Sequence, residues 1–193
     1  MIASMINELR DIRLHSGLKR ILIDEETLQR RISELGRDIG EFYGDRHPLL
    51  IGVLTGGFIF MADLARAMAV PLRVDFMAVS SYGNASSTSG VVRILKDLDC
   101  TVEDRHILIV EDIIDSGLTL SYLVDVLRRR KPADIRIVAL LKKVRATTVA
   151  VEADWVGFEI PDEFVVGYGL DFAGKYRNLP FVAICAPDLS DDA

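Results

Sequence analysis

The stretch of sequence that decides the fold is HILIVEDIIDSGLTL, residues 106–120. Its first half is a short apolar run rich in β-branched residues, which is typical of a strand buried on both faces. Its second half leads into apolar residues at the spacing i, i+3, i+4 and i+7, which predicts an amphipathic helix. These residues are Leu120, Leu123, Val124 and Leu127. The stretch therefore predicts a strand, a tight turn and a helix in succession.

The predicted turn has the properties of an anion site. The free N–H groups and the positive dipole end of a helix attract anions, and the hydroxyls of Ser116 and Thr119 add donors. Gly117 lets the backbone approach a ligand closely. Three carboxylates stand beside this turn: Glu111, Asp112 and Asp115. They would repel a bare phosphate, so the pattern indicates a phosphorylated ribose with Mg²⁺. The alternative is a solvated acidic turn that caps the helix.

Strands and helices alternate along the rest of the chain. Apolar runs predict strands at residues 19–23, 49–54, 72–79, 91–95, 135–141, 155–160, 164–168 and 181–184. Helical spacing predicts helices at about 24–43 and 58–68. This order predicts an α/β fold with a mostly parallel sheet flanked by helices. Ligands of such sheets bind beyond the carboxyl ends of the strands, where we expect Thr55, Glu111 and Lys143.

Two other segments are rich in small residues. Thr55-Gly56-Gly57 joins a predicted strand to a predicted helix, and its glycines indicate backbone amides offered to an anion. A plain tight turn is the alternative. The segment from Ser80 to Gly90 has too few apolar residues to form a core, so we expect a mobile loop there.

Composition narrows the class of protein. A chain of 193 residues is most simply one domain, and no apolar run is long enough to span a bilayer. The first residues lack the pattern of a signal peptide. Two cysteines, Cys100 and Cys185, fit reduced thiols in a cytosolic protein. A net charge of −6 disfavours non-specific nucleic-acid binding. We therefore expect a cytoplasmic protein with no membrane or nucleic-acid partner.

Several common chemistries are disfavoured by the motifs. His15, His47 and His106 form no spaced cluster with cysteine, which argues against zinc. Neither a Gly-x-Ser-x-Gly elbow nor a Walker sequence is present. The strand–helix turns also lack Gly-x-Gly-x-x-Gly, so dinucleotide binding of the Rossmann type is disfavoured.

The segment VEDIIDSGLTL, residues 110–120, resembles the phosphoribosyl-pyrophosphate (PRPP) motif of type I phosphoribosyltransferases. Within that family, its residues are most similar to the motif of the hypoxanthine-guanine group. The resemblance extends from about Leu22 to about Ile184. It implies the type I phosphoribosyltransferase fold in a single domain, residues 1–193, with a small hood from about 18–26 and 155–186. A mobile lid would lie at about 80–92. The resemblance also implies a homodimer or a homotetramer.

The activity implied by the resemblance is purine salvage. Such enzymes transfer the 5-phosphoribosyl group of PRPP to hypoxanthine or guanine with Mg²⁺, giving a nucleoside monophosphate and pyrophosphate. The alternative is a PRPP-sensing regulator on the same fold that binds RNA or DNA. A regulator would need the phosphate loop but not the set Asp115, Lys143, Phe164 and Asp171, and it should show a basic face.

The resemblance also implies a role for individual residues. Asp115 would take a proton from the base near N7. The ribose and 5′-phosphate would be bound by Glu111, Asp112, Asp115, Ser116, Gly117, Leu118 and Thr119. Pyrophosphate would be bound by Thr55, Gly56, Gly57 and Arg177, with Thr55 in place of the usual lysine or asparagine. The lid would begin at Ser81, Tyr82 and Gly83, and the purine would contact Lys143, Phe164 and Val165. Mg²⁺ would be held by Glu111, Asp112 and Asp171.

Overall fold

The structure, a computed structural model, describes residues 17–82, 91–144 and 151–185. The strands in these ranges are β1 (Leu18–Ile23), β2 (Leu49–Leu54), β3 (Arg73–Tyr82), β4 (Val91–Lys96), β5 (His106–Ile114), β6 (Asp134–Lys143), β7 (Trp155–Ile160), β8 (Val165–Val166) and β9 (Val182–Cys185). The helices are α1 (Glu25–Tyr43), α2 (Phe58–Ala67) and α3 (Leu118–Arg128). The elements agree with the predicted alternation of strands and helices.

The chain consists of two compact units, and the larger, Arg31–Asp162, contains a six-stranded sheet. Its strand order is β4-β3-β2-β5-β6-β7, in which β4 runs antiparallel to β3 and the other neighbours are parallel. The prediction of a mostly parallel α/β sheet is confirmed. Because β2, β5 and β6 are parallel neighbours, their carboxyl ends lie at one edge of the sheet.

The predicted stripe on α3 forms part of the core of this larger unit. Leu120, Leu123, Val124 and Leu127 are buried in one cluster with strand residues such as Ile51 and Ile109. A fully buried aliphatic side chain of this size contributes about 1.5–3 kcal/mol to folding. Burial of the stripe thus fixes α3 against the sheet and holds its N-terminus at the carboxyl edge.

The smaller unit includes the described residues 17–30 and 163–185. It contains an antiparallel sheet of order β1-β9-β8, with a core that includes Leu18, Val166 and Phe181. The strand predicted at 164–168 is shorter, because the positive φ of 96° at Gly167 turns the chain away from the sheet. Residues 155–160, predicted within the hood, instead form β7 and pair with β6 in the larger sheet.

None of the helices in residues 17–82, 91–144 and 151–185 is both long and apolar enough to cross a membrane.

Candidate active site

Glu111 and Asp112 lie on strand β5 and not in the loop that follows it. The sequence placed Glu111 and Asp112 at the strand end or in the turn, but β5 continues to Ile114. The reason is the parallel pairing with β6, which extends from Glu111 opposite Ala139 to Ile114 opposite Lys142. The strand therefore carries these carboxylates to the sheet edge on rigid backbone.

Glu111 is the more buried of these two carboxylates, with 9% of its surface exposed. Its Oε2 atom has no hydrogen-bond partner within the described parts of the chain. Burial, together with the negative charge of Asp112, raises the pKa of Glu111 well above its ordinary value. A buried acceptor without a partner is costly, so this oxygen is suited to a ligand that brings a donor or a cation.

Asp112 lies against the first glycine turn, Thr55-Gly56-Gly57, which joins β2 to α2. A Cβ atom added to Gly56 would come within 1.6 Å of the Asp112 Oδ2 atom, so only a glycine leaves room for this carboxylate. The other carboxylate oxygen, Oδ1, accepts a hydrogen bond from the Ile113 amide at 2.8 Å. The turn begins with a cis peptide bond between Leu54 and Thr55, and Gly57 caps α2. The structure thus brings Thr55-Gly56-Gly57 next to the acidic end of β5.

The second glycine turn leads from β5 into α3. Gly117 is the N-cap of this helix, and its φ of 77° lies in the left-handed region that favours glycine. The Leu118 amide points toward the Ser116 hydroxyl oxygen at 3.5 Å, and Thr119 lies in the first helical turn. Free amides of this first turn therefore face the same sheet edge as Glu111 and Asp112.

Lys143, the last residue of β6, contacts two carboxylates. Its Nζ atom lies 3.2 Å from Asp115 Oδ2 and 3.3 Å from Asp162 Oδ1. The lysine side chain is 12% exposed, whereas the side chains of Asp115 and Asp162 are 57% and 50% exposed. The structure therefore brings together Lys143 and Asp115, two residues predicted separately. Asp162 was not predicted; its position two residues beyond β7 was the available signal.

The predicted residues of the smaller unit form contacts of their own. Arg177 pairs with Asp171 at 2.6 Å and donates a hydrogen bond to the Gly169 carbonyl, also at 2.6 Å. Asp171 Oδ2 accepts from the Gly174 amide at 2.8 Å. Asp171 and Arg177, predicted to bind metal and pyrophosphate, are thus paired with each other.

The two predicted purine contacts of this unit differ in exposure. Phe164 is 44% exposed and packs edge-on against Phe172, with ring centroids 5.6 Å apart. Val165 is buried on β8, so its backbone is held in the sheet while its side chain belongs to the core. A half-exposed ring beside a fixed strand is suited to stacking on a planar ligand.

The start of the predicted lid continues β3. The backbones of Ser81 and Tyr82 pair with Val92 and Val91 of β4. Gly83 and the remainder of the predicted lid through residue 90 lie outside the described residues.

The carboxylates at the end of β5 fit Mg²⁺. Residues 17–82, 91–144 and 151–185 contain no group of three or more acidic, histidine or cysteine side chains arranged to hold a metal. Mg²⁺ in phosphate-processing sites is held by one or two carboxylates and takes its other ligands from substrate and water. The unpartnered oxygen of Glu111 and the neighbouring Asp112 meet that requirement.

The fold and the site together define the phosphoribosyltransferase class, and the sequence agrees. Residues 22–173 match the family model described as a phosphoribosyl transferase domain. The chain therefore belongs to the phosphoribosyltransferase family.

Individual members of this family show which kind of phosphoribosyltransferase the chain is similar to. The chain is 54% identical over 170 residues to the hypoxanthine-guanine phosphoribosyltransferase of Bacillus subtilis, covering 88% of this chain and 94% of that protein. It is 52% identical over 176 residues to the bifunctional protein TilS/HprT of Listeria innocua, covering 91% of this chain but 27% of that longer protein. A hypoxanthine phosphoribosyltransferase structure from Staphylococcus aureus matches with a TM-score of 0.88 at 40% identity, covering 93% of this chain and 97% of that one. The predicted resemblance is confirmed, and the regulator finds no support among these relatives.

Proposed function

We propose that the chain catalyses Mg²⁺-dependent transfer of the 5-phosphoribosyl group from PRPP to hypoxanthine or guanine in purine salvage. The observation that carries this proposal is the contact of Lys143 with Asp115, 3.2 Å apart at the sheet edge. A 6-oxopurine presents O6 and N7 side by side on one edge. Lys143 would donate to O6, and Asp115 would accept the proton of N7.

PRPP would bind across the two glycine turns. The hydroxyls and amides of Ser116, Gly117, Leu118 and Thr119 would hold the 5′-phosphate, and Glu111 and Asp112 would hold the ribose hydroxyls. The amides of Thr55, Gly56 and Gly57 would bind pyrophosphate, and Arg177 would add a bidentate contact. Mg²⁺, held by Glu111, Asp112 and Asp171, would neutralise charge on the pyrophosphate.

The reaction is a displacement at the anomeric carbon of the ribose. N9 of the purine would form a bond to C1′ while the bond from C1′ to the pyrophosphate oxygen breaks. By analogy with glycosidic bonds, the sugar passes through an oxocarbenium-like state. Asp115 would take the N7 proton and so neutralise the positive charge that the purine gains when N9 bonds to C1′. The amides of residues 55–57 would stabilise the leaving pyrophosphate.

The remaining assignments concern the base and the lid. Phe164 would stack on the purine ring, and the backbone of Val165 would contact its edge. A lid that begins at Ser81, Tyr82 and Gly83 would exclude water, which could otherwise capture the sugar cation.

The test compares substrates and two neighbouring lysines. The wild type should convert hypoxanthine with PRPP and Mg²⁺ and barely use adenine, because a 6-amino group would face the ammonium donor to donor. Lys143→Ala should raise KM for hypoxanthine about 10- to 100-fold, since a charge-assisted hydrogen bond contributes about 1.5–3 kcal/mol. KM for PRPP should stay within about threefold.

Lys142→Ala is the matched control, because successive strand residues point to opposite faces of the sheet. It should leave the kinetics of the wild type unchanged. A wild type that prefers adenine, or Lys143→Ala kinetics equal to those of Lys142→Ala, would refute the choice of base. Absence of nucleotide formation from hypoxanthine or guanine would refute the enzyme itself.

We propose further that the protein acts in the cytoplasm as a homodimer or homotetramer, without nucleic-acid or membrane partners. The basis for the assembly is what the resemblance of the sequence to type I phosphoribosyltransferases implies. Light scattering coupled to size exclusion measures it, and a monomer at assay concentration would contradict it.

A further inference from the structure

Asp162 is the carboxylate of the larger unit that contacts Lys143 but has no part in the proposed reaction. We propose that Asp162 is a positioning residue: it holds the Lys143 ammonium in place for the 6-oxo group and thereby helps the site to reject 6-aminopurines. The distance of 3.3 Å between Lys143 Nζ and Asp162 Oδ1 is the starting observation. This inference rests on the proposed function and adds a residue to its specificity.

The backbone explains why Asp162 is next to Lys143. In the parallel pairing of β6 with β7, Lys143 lies opposite Ile160. The Val144 amide donates to the Ile160 carbonyl at 3.1 Å, which continues the pairing beyond the end of β6. Asp162 therefore follows an anchored strand end by two residues, and Pro161 between them restricts the chain further. Its carboxylate is positioned by the sheet.

The charges explain why a second carboxylate is needed. A lysine ammonium has three donors, and contacts with Asp115 and Asp162 leave the third for O6 of the base. When Asp115 accepts the N7 proton it becomes neutral and loses most of its attraction for the ammonium. Asp162 takes no proton in this step and remains a counter-charge. The mostly buried ammonium thus keeps an ionic partner throughout the transfer.

The first experiment measures the kinetics of Asp162→Asn beside a matched control. Asparagine keeps the size of the side chain and removes its charge. KM for hypoxanthine should rise about 10-fold, while KM for PRPP stays within about twofold. The preference for hypoxanthine over adenine should fall by a similar factor. Glu159→Gln removes a carboxylate from the exposed surface of β7 and should change none of these values.

The second experiment asks whether Asp162 acts through Lys143. In a double-mutant cycle, Asp162→Asn should have no further effect on hypoxanthine KM when Lys143 is already replaced by methionine. Asp162→Glu should restore part of the lost affinity, because it returns the charge. An Asp162→Asn effect of equal size in the Lys143→Met background would overturn the proposal. So would an equal rise of both KM values, which is expected of a purely structural residue.

The outcomes separate this inference from the proposed function. A wild type that fails to convert any 6-oxopurine refutes the function. A wild type that converts hypoxanthine, with an unchanged hypoxanthine KM in Asp162→Asn, refutes only the role of Asp162. If Asp162→Asn folds poorly, as judged by its thermal unfolding, Asp162→Ser, which also removes the charge, provides the same comparison with and without Lys143→Met.

Discussion

Two carboxylates in the described parts of the chain are buried, and their surroundings are opposite. Asp75 on β3 is 7% exposed and accepts hydrogen bonds from the amides of Phe76 at 2.7 Å, Asp99 at 2.9 Å and Cys100 at 3.3 Å. Glu111 on β5 is 9% exposed, and its Oε2 atom has no hydrogen-bond partner within residues 17–82, 91–144 and 151–185. Asp75 on β3 thus binds the backbone of the residues that follow β4. The Oε2 atom of Glu111, in contrast, accepts no hydrogen bond from the described residues.

The pKa of each carboxyl reflects this difference. Burial alone would raise the pKa of Asp75, but the amides of Phe76, Asp99 and Cys100 hold it below its usual range. At Glu111, burial and the charge of Asp112 both act to raise the pKa. A buried carboxylate oxygen that folding leaves without a donor is suited to a donor from a ligand. Hydrogen-bond satisfaction, more than burial, separates the structural carboxylate from the one proposed to bind a ligand.

The largest expected effect is at Asp115, a third carboxylate, which is exposed whereas Asp75 and Glu111 are buried. Asp115 owes its proposed role to its position beside Lys143. Asp115→Asn should lower kcat about 100-fold or more, since it removes the proton acceptor, and leave PRPP affinity within a few fold. Steady-state kinetics and PRPP titration measure both values. An unchanged kcat in the folded variant would exclude proton transfer to Asp115.

Glu111→Gln tests the functional side of the comparison. The variant should lower kcat/KM for PRPP about 10- to 100-fold, because a charged acceptor of the ribose hydroxyls contributes about 1.5–3 kcal/mol. Its free energy of unfolding without ligand should not fall, since the Glu111 Oε2 atom has no hydrogen-bond partner among the described residues. Denaturant unfolding and kinetics measure the two quantities. A clear loss of stability with normal kinetics would make Glu111 structural, like Asp75.

Asp75→Asn tests the structural side. The asparagine NH₂ group would face backbone donors, so the free energy of unfolding at pH 7 should fall by about 1–3 kcal/mol. The lowered pKa of Asp75 means that its stabilisation is present above the unfolded pKa of about 4 and is lost as pH falls through the folded value. The difference from the wild type should therefore shrink below about pH 4. A difference that stays constant with pH would contradict the role of the charge.

The smallest effect is expected at Thr55, where the proposed contact uses backbone amides. Thr55→Ala removes an exposed side chain and keeps the amide, so kcat/KM for PRPP should stay within about twofold. Gly56→Ala in the same turn is the contrast, because its Cβ would displace the Asp112 carboxylate. It should raise KM for PRPP about 10-fold. Equal kinetics of the two variants would show that the position of Asp112 does not matter.

The sequence predicted the helices, strands and turns that depend on neighbouring residues. The stripe Leu120, Leu123, Val124 and Leu127 predicted α3, and the glycine at position 117 predicted the turn before it, because these signals depend on neighbouring residues. Thr55, Glu111 and Lys143 were expected at one edge of the sheet, but individual contacts between distant segments were not predicted. The hydrogen bonds of Asp75 reach 24 and 25 residues along the chain, and the pairing of β5 with β6 carries Glu111 into the sheet. Asp162 is near Lys143 only because β6 and β7 are neighbours.

The antiparallel pairing of β1 with β9 has a consequence for the order of folding. Leu18 lies opposite Cys185, so this sheet joins segments separated by nearly the whole described sequence. A ribosome releases residue 185 well after residue 162, and β1 must wait for that partner while the residues of the six-stranded sheet are already available. Closing so long a loop is slow compared with local pairing. The three-stranded sheet should therefore form after the six-stranded sheet.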